Sequence, residues 1–239
     1  MKNKIMVNML VLLAIMMIPT GSMAQTGYNQ PMMYNSSSFF ITIGYLDGPH
    51  FEEFVNWANQ FYEEAYGSPE KIGDFKETAA ATLGLRVRFT RHFAFEIDFM
   101  TASKKISKAF SIVGTTARVE QRLDLTVAAI NASVPIMFQF SPRQTIVPFV
   151  AAGISIFPLR LDHQVDVFII RQTKTAIAGN FAVGIDTPLY QKLRATLRAD
   201  WTYGKASMPV TQTFFNEPDH FDIDLNTMSI QGGILYTFR

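Results

Sequence analysis

The stretch EPDHFDID (217–224) gathers the groups best able to do chemistry. His220 lies between Asp219 and Asp222, and Ser207 precedes it in the same connection. Hydroxyl, imidazole and carboxylate are the parts of an acyl-transfer site, in which the base activates the nucleophile and the acid orients the base. No nucleophile motif surrounds Ser207, so these residues read as solvated. The same carboxylates could face a divalent cation, but the spacing and glycine of a calcium loop are missing. His50, His92 and His163 read as loop or turn residues. We assign no catalytic, cofactor-binding or metal-binding residue, and no enzymatic activity. No glycine-rich phosphate loop and no basic nucleic-acid patch occurs.

A second set of polar groups is larger and more regular. Arg86, Arg88, Glu96, Asp98, Glu120, Arg122, Asp124, Arg194, Arg198 and Asp200 recur at every second position of four apolar stretches. Five are positive and five negative. Such residues could neutralise one another on one shared face.

The elements that must carry them alternate with period two. FFITIGYL (39–46), ATLGLRVRF (81–89), FAFEIDF (93–99), VEQRLDLTVAA (119–129), IVPFVAAGISIF (146–157), AIAGNFAVGI (176–185), LRATLRADWTY (193–203) and LNTMSIQGGILYTF (225–238) read as eight strands. Short connections (90–92, 141–145 and 186–192) alternate with long ones, roughly 47–78, 101–118, 158–175 and 204–222. Short turns at one end and long loops at the other describe an up-and-down antiparallel transmembrane barrel. The first long loop breaks the pattern. Phe51, Phe54, Ala58 and Phe61 stand at helical spacing within 48–66, with Glu52, Glu53, Glu63 and Glu64 on the other side and Gly67 as a stop. This predicts an amphipathic helix in an extracellular loop.

The beginning of the chain points to export. Lys2 and Lys4 precede an apolar run from Ile5 to Ile18 and a small-residue site at Ser22-Met23-Ala24, a pattern expected of a cleaved signal peptide over 1–24. The run is too short to span a bilayer as a helix, which takes about 20 residues. Residues 25–239 read as one domain. Without Lys2 and Lys4 the 21 basic residues become 19, against 20 acidic ones, so the charge excludes no surface and favours no nucleic acid. There is no cysteine to staple an exported fold.

Alternation alone does not say which face meets lipid. Two features favour an apolar face turned outward. Paired charges would fill a narrow lumen. Aromatics also cluster at both ends of the strands, Phe89, Phe93, Phe138, Phe140, Phe149 and Tyr190 near short turns and Tyr45, Phe99, Phe157, Trp201 and Tyr203 near long loops, as two interfacial belts would require. On this reading Glu120, Arg122 and Asp124 enter the lumen while Val119, Leu123, Leu125 and Val127 face lipid.

The end of the chain, QGGILYTFR, carries Gln231, Gly233, Tyr236 and Phe238 at the spacing polar–x–Gly–x–x–aromatic–x–aromatic. This resembles the C-terminal insertion signal of bacterial outer-membrane barrels, with Arg239 as an added residue. The stretches 132–156 and 179–203 likewise resemble the strand–turn–strand pattern of the OmpA/OmpX-type eight-stranded family. The resemblance implies an outer-membrane location, contact with outer-membrane lipid and lipopolysaccharide, and insertion by the barrel-assembly machinery. It implies little about activity, because the fold hosts several. The expected function is a non-catalytic barrel with a charge-paired lumen and long external loops, serving envelope structure, adhesion or recognition of an extracellular ligand. A small-solute pore and a lipid-A-modifying acyl enzyme are the alternatives.

Overall fold

A computed structural model describes residues 36–67, 71–73, 77–112, 114–116, 118–141, 144–165, 168–209 and 220–238. The expected signal peptide, 1–24, and Asp219 lie outside the described residues. Ten strands and a helix follow in order: β1 (Ser36–Asp47), α1 (Glu52–Tyr66), β2 (Glu77–Arg88), β3 (Ala94–Ser111), β4 (Arg118–Met137), β5 (Val147–Val165), β6 (Phe168–Tyr190), β7 (Leu193–Tyr203), β8 (Lys205–Pro209), β9 (His220–Asp224) and β10 (Thr227–Phe238). Eight of the strands close an antiparallel barrel in the order β1-β10-β7-β6-β5-β4-β3-β2, and β8 and β9 form a separate hairpin. All eight expected strands occur. The hairpin was hidden inside the last long connection.

The register sets the width of the barrel. From Ile41 the facing partners run through Leu83, Phe99, Ile130 and Ile156 to Ile177. In the other direction they run through Ile234 and Ala195 to Thr187. The circuit therefore leaves β6 at residue 177 and returns at 187, a stagger of ten. Eight strands with that stagger tilt by roughly 40° and enclose a backbone radius of about 8 Å, an interior that side chains fill. Along β4 and the three residues after it the outward apolar set runs from Ile130 to Phe140, about 25 Å along the barrel axis, the height of a lipid-facing band.

Two expected loops are strand instead. Residues 101–111 and 118 form one ladder with the expected strand 119–129, and 158–165 and 168–175 continue β5 and β6. Their alternation never slips, but its chemistry inverts. Within the apolar band β4 points Ile130, Val134 and Ile136 outward and Asn131 and Ser133 inward. Higher up it points Leu123, Leu125 and Val127 inward and Glu120, Arg122 and Asp124 outward. This corrects the expected placing of Glu120, Arg122 and Asp124 in the lumen. Above the band water replaces lipid outside, so the charged face belongs there. Phe149 and Phe157 are also corrected: both point inward and are buried rather than joining the belts.

The inverted stretch needs something apolar inside, and α1 supplies it. Glu52 and Glu53 occupy its first turn, where the helix dipole favours negative charge. Gly67 ends it in the left-handed conformation, φ 63°, with its N–H on Glu63 O. Phe51, Phe54, Val55, Ala58 and Tyr62 are buried in one cluster with Leu123, Leu125, Val127, Phe157, Leu159 and Leu161. Phe61 is only half-buried, stacked 5.8 Å from Trp57.

The barrel closes where its first and last strands meet. Gly44 pairs with Gln231, and Gly233 with Thr42. A Cβ on Gly44 would lie 2.0 Å from Ile230 O, and one on Gly233 1.9 Å from Ile41 O. The two backbones pack at a distance only glycine permits. Gly233→Ala must therefore displace backbone, and we expect it to cost about 1–3 kcal/mol in urea unfolding from micelles or bilayers, as overpacking does. The same change at Gly232, where the nearest atom is a Leu197 methyl at 3.9 Å, should cost much less.

Candidate functional site

The lumen of the lower barrel holds a connected ionic cluster. Arg86 on β2 donates through Nε to Glu96 Oε2 and through Nη1 to Asp186 Oδ2, each at 2.6 Å. Arg198 on β7 donates to Glu96 Oε1 at 2.6 Å and to both Asp200 oxygens through Nε at 3.0 Å. Asp98 lies 3.9 Å from Arg198 Nη2 and accepts from Asn131 Nδ2 at 2.6 Å. Asn131 in turn accepts from Ser155, and Asn180 donates to the same Ser155 hydroxyl. All of these side chains follow from one fact of the strands: every second residue points in.

Two rings complete the packing. Phe149 and Phe40 lie 4.7 and 5.8 Å from the Arg86 guanidinium carbon, and Phe40 also faces Arg198. They press against Gly84 and Gly184, where any Cβ would come within 2.4 Å of a ring carbon. Both arginines thus combine ion pairs with aromatic faces.

Of the ten expected lumen charges, the structure joins Arg86, Glu96, Asp98, Arg198 and Asp200 in this cluster. Arg194 points into the lower lumen and reaches Asp186 O at 3.4 Å. Arg88 sits at the floor and donates to Thr90 O, Arg91 O and Gln139 Oε1, tying the turn that follows β2. Glu120, Arg122 and Asp124 lie outside. Asp186 was missed because it was read as a turn residue. It shares parity with Asn180 and Gly184, so extending the expected strand 176–185 by one position would have found it. Arg86, Arg88, Arg194 and Arg198 are balanced by Glu96, Asp98, Asp186 and Asp200.

Above the cluster lies a small polar cavity lined by Thr82, Asp98, Asn180, Asp200, Thr202 and Gln231, among others. Its space for the centre of a water-sized sphere is about 20 Å³, room for roughly one water. Above that, α1 fills the apolar chamber.

The expected insertion-signal residues divide by face. Gln231 is buried inward, accepting from the Thr42 hydroxyl, and Gly233 lies at the seam. Tyr236 and Phe238 point outward and are exposed.

Ser207, Asp222 and His220 share the exposed face of the β8–β9 hairpin, whereas His92 and His163 lie on other parts of the chain. Ser207 stands opposite Asp222 in the β8–β9 hairpin, with His220 paired to Pro209. His50 bridges to Asp224 through backbone, and the His92 ring meets Met137 O at 3.1 Å. Among the described residues no three His, Cys, Asp or Glu side chains could hold a metal ion. His163 is the correction. It is not a solvated loop residue but points into the upper chamber, buried, beside Gln121 and edge-on to Phe54 of α1 at 5.4 Å. The Gln121 amide meets the imidazole Nε2 at 2.9 Å.

No family model matches the chain, and no curated relative does. Among solved structures, the outer membrane protein OprG from Pseudomonas aeruginosa superposes with a TM-score of 0.56 at 10% identity, over 88% of this chain and 100% of that one. The chain has the fold of an outer-membrane β-barrel. Weaker likenesses include Ail, the attachment invasion locus protein of Yersinia pestis, at TM-score 0.47 and 10% identity over 86% of this chain and 100% of that one. Another is the outer membrane protease OmpT from Escherichia coli, at TM-score 0.47 and 6% identity over 88% of this chain and 100% of that one.

Two outcomes are expected of this site. Glu96→Ala leaves two buried guanidinium groups short of a partner and should cost about 3–5 kcal/mol, the loss typical of a broken buried pair. Asp162→Ala, among half-exposed arginines, should cost under about 1 kcal/mol in the same unfolding measurement. His163 gives the pH dependence. Burial lowers its pKa to about 4, against an ordinary value near 6.5. A released chamber therefore binds a proton below pH 6.5 that the docked one refuses until about 4. Docking should weaken as pH falls across that window, by about 3 kcal/mol at most, and be fully present above it. Protection of the α1 amides, measured relative to the unstructured exchange rate at each pH, should fall from pH 6.5 to 4, and His163→Phe should flatten that response.

Proposed function

We propose that the protein is a non-catalytic barrel of the bacterial outer membrane, exported by a cleaved signal peptide, whose external hairpins and docked helix serve adhesion or surface recognition. One observation carries this reading: the lumen is closed twice. The Arg86–Glu96–Arg198 cluster spans the lower barrel, and α1 fills the mouth above it. A channel for solutes needs a continuous wet path, and the small cavity between the two closures gives none. The outward apolar band with tyrosine and phenylalanine at its edges supports the membrane location.

In planar bilayers the intact protein should conduct negligibly. Deleting 49–66 should raise the mobility of the outer hairpins yet open no large channel, because the ionic cluster remains. Steady large conductance from the intact protein would overturn the reading. Lipid-A mass spectra of cells with and without the protein should be identical, and a new acyl pattern would establish an enzyme.

A further inference from the structure

The helix α1 has the composition of a helix that binds lipid, yet it is stored inside the wall above the apolar band. Six of the residues 51–66 are aromatic: Phe51, Phe54, Trp57, Phe61, Tyr62 and Tyr66. The charges of the same stretch are Glu52, Glu53, Glu63 and Glu64, all exposed, with no lysine or arginine. An aromatic-rich apolar stripe opposite a charged face is the pattern of helices that lie in a membrane interface. The chamber holds the stripe by apolar contact with β3, β4 and β5. Polar ties run elsewhere: Asn59 bonds both backbone groups of Ile72, and Glu53 Oε2 accepts from Asp222 N of the hairpin at 2.7 Å.

The fit in the chamber is incomplete. The Tyr62 hydroxyl and the side-chain carbonyl oxygens of Gln121 and Gln172 are buried without a hydrogen-bond partner. Docking therefore strips water from three polar groups and returns nothing to them. A bilayer interface removes that loss. It takes up the rings, leaves a tyrosine hydroxyl among headgroups and water, and lets the two glutamines of the vacated wall become wet. Apolar burial is kept in either place, so small polar differences decide between chamber and membrane.

One of those differences follows pH. His163 meets Gln121 of β4 at 2.9 Å and the Phe54 ring of α1 at 5.4 Å. Gln172 and Lys174 stand on the inner face of β6. Arg160, Asp162 and Arg171 face outward, Glu53 turns to the hairpin, and Lys104 and Lys108 of β3 donate to the Glu77 and Lys71 carbonyls. Among these described residues no carboxylate is placed to hold a protonated imidazole, so protonation favours the released helix.

We propose that α1 is a stowed membrane anchor, which acid frees from the chamber and which then lays its aromatic face on a facing bilayer of zwitterionic phospholipid. Charge selects that surface. Four glutamates without a base are repelled by an anionic leaflet, including the lipopolysaccharide expected around the barrel itself, whereas a zwitterionic layer carries no net charge. Gly48 and Gly67, at φ 92° and 63°, flank the helix where the chain must turn. This names a partner for the surface recognition proposed above and rests on that reading.

The test uses the whole protein carrying W201F, which leaves Trp57 as the only tryptophan, in nanodiscs of phosphatidylglycerol. Vesicles of brominated phosphatidylcholine or brominated phosphatidylglycerol are added, and the quenching of Trp57 is read. Burial holds the His163 pKa at about 4, against about 6.5 once released, so from about pH 7.5 to about pH 5 the docked population should fall roughly thirtyfold relative to the released one. Quenching by phosphatidylcholine should rise by the same factor while little protein is bound. Phosphatidylglycerol vesicles should quench less, H163F should show no rise, and discs lacking 49–66 should not float with the vesicles. Trp57 left unquenched in acid, an α1 that keeps its exchange protection there, an equal rise in H163F, or equal flotation without 49–66 would each overturn the proposal. Equal quenching by the two lipids would overturn the assignment to a zwitterionic surface. The conductance and lipid-A measurements decide the non-catalytic reading separately, so a failure here leaves that reading standing.

Discussion

Glu96 accepts one arginine on each of its oxygens, and those arginines come from β2 and β7, strands that are not neighbours in the wall. Through Asp186 the same network reaches β6. A tube of about 8 Å radius is filled largely by side chains and leaves too little room for water to solvate so many charges. Each ion must therefore find its counterion across the lumen, and the braces that result run where no backbone ladder can. They hold opposite walls at one separation, and the rings of Phe40 and Phe149 pack into what remains.

The wall obeys one rule throughout and uses it in two solvents. Side chains alternate in and out along the long strands of β3–β6. Where lipid lies outside, the apolar residues point outward and the polar ones meet in the lumen. Where water lies outside, the assignment reverses, and the interior becomes apolar enough to receive a helix. β3–β6 thus belong in their lower halves to a membrane barrel and in their upper halves to a soluble one. β1, β2, β7 and β10 stop lower, and α1 with the β8–β9 hairpin takes part in enclosing the chamber that they leave open.

This reversal explains what was legible in the sequence. The eight strands could be read from alternation, their antiparallel order from the alternating lengths of the connections, and the facing of β1, β2, β7 and β10 from paired charges and aromatic strand ends. So could α1, whose apolar stripe at 51–62 had no use in water. The placing of Glu120, Arg122 and Asp124 could not, because period two has no sense of height: it separates two faces without saying which solvent each one meets. The lengths of the upper ladders were hidden for the same reason, since a charged outer face there looks like loop. Asp186 was obscured by Pro188 nearby, which suggests a turn, although the strand runs through to Tyr190. His163 was legible only after β5 was known to extend past Pro158, which places it on the inner face.

The glycine contacts between β1 and β10 bear on how such a wall can be made. That seam joins residues 189 apart, such as Thr42 and Gln231, so it can form only when nearly the whole chain is present. Until then β1 and its eventual neighbour each offer a row of unpaired peptide groups that lipid would not tolerate and that another chain could capture. A half-built wall has no stable resting state in either solvent. The order of assembly is thereby constrained at its last step: the two ends must be kept apart from competitors, brought together once, and locked by a fit close enough to exclude any side chain at Gly44 and Gly233.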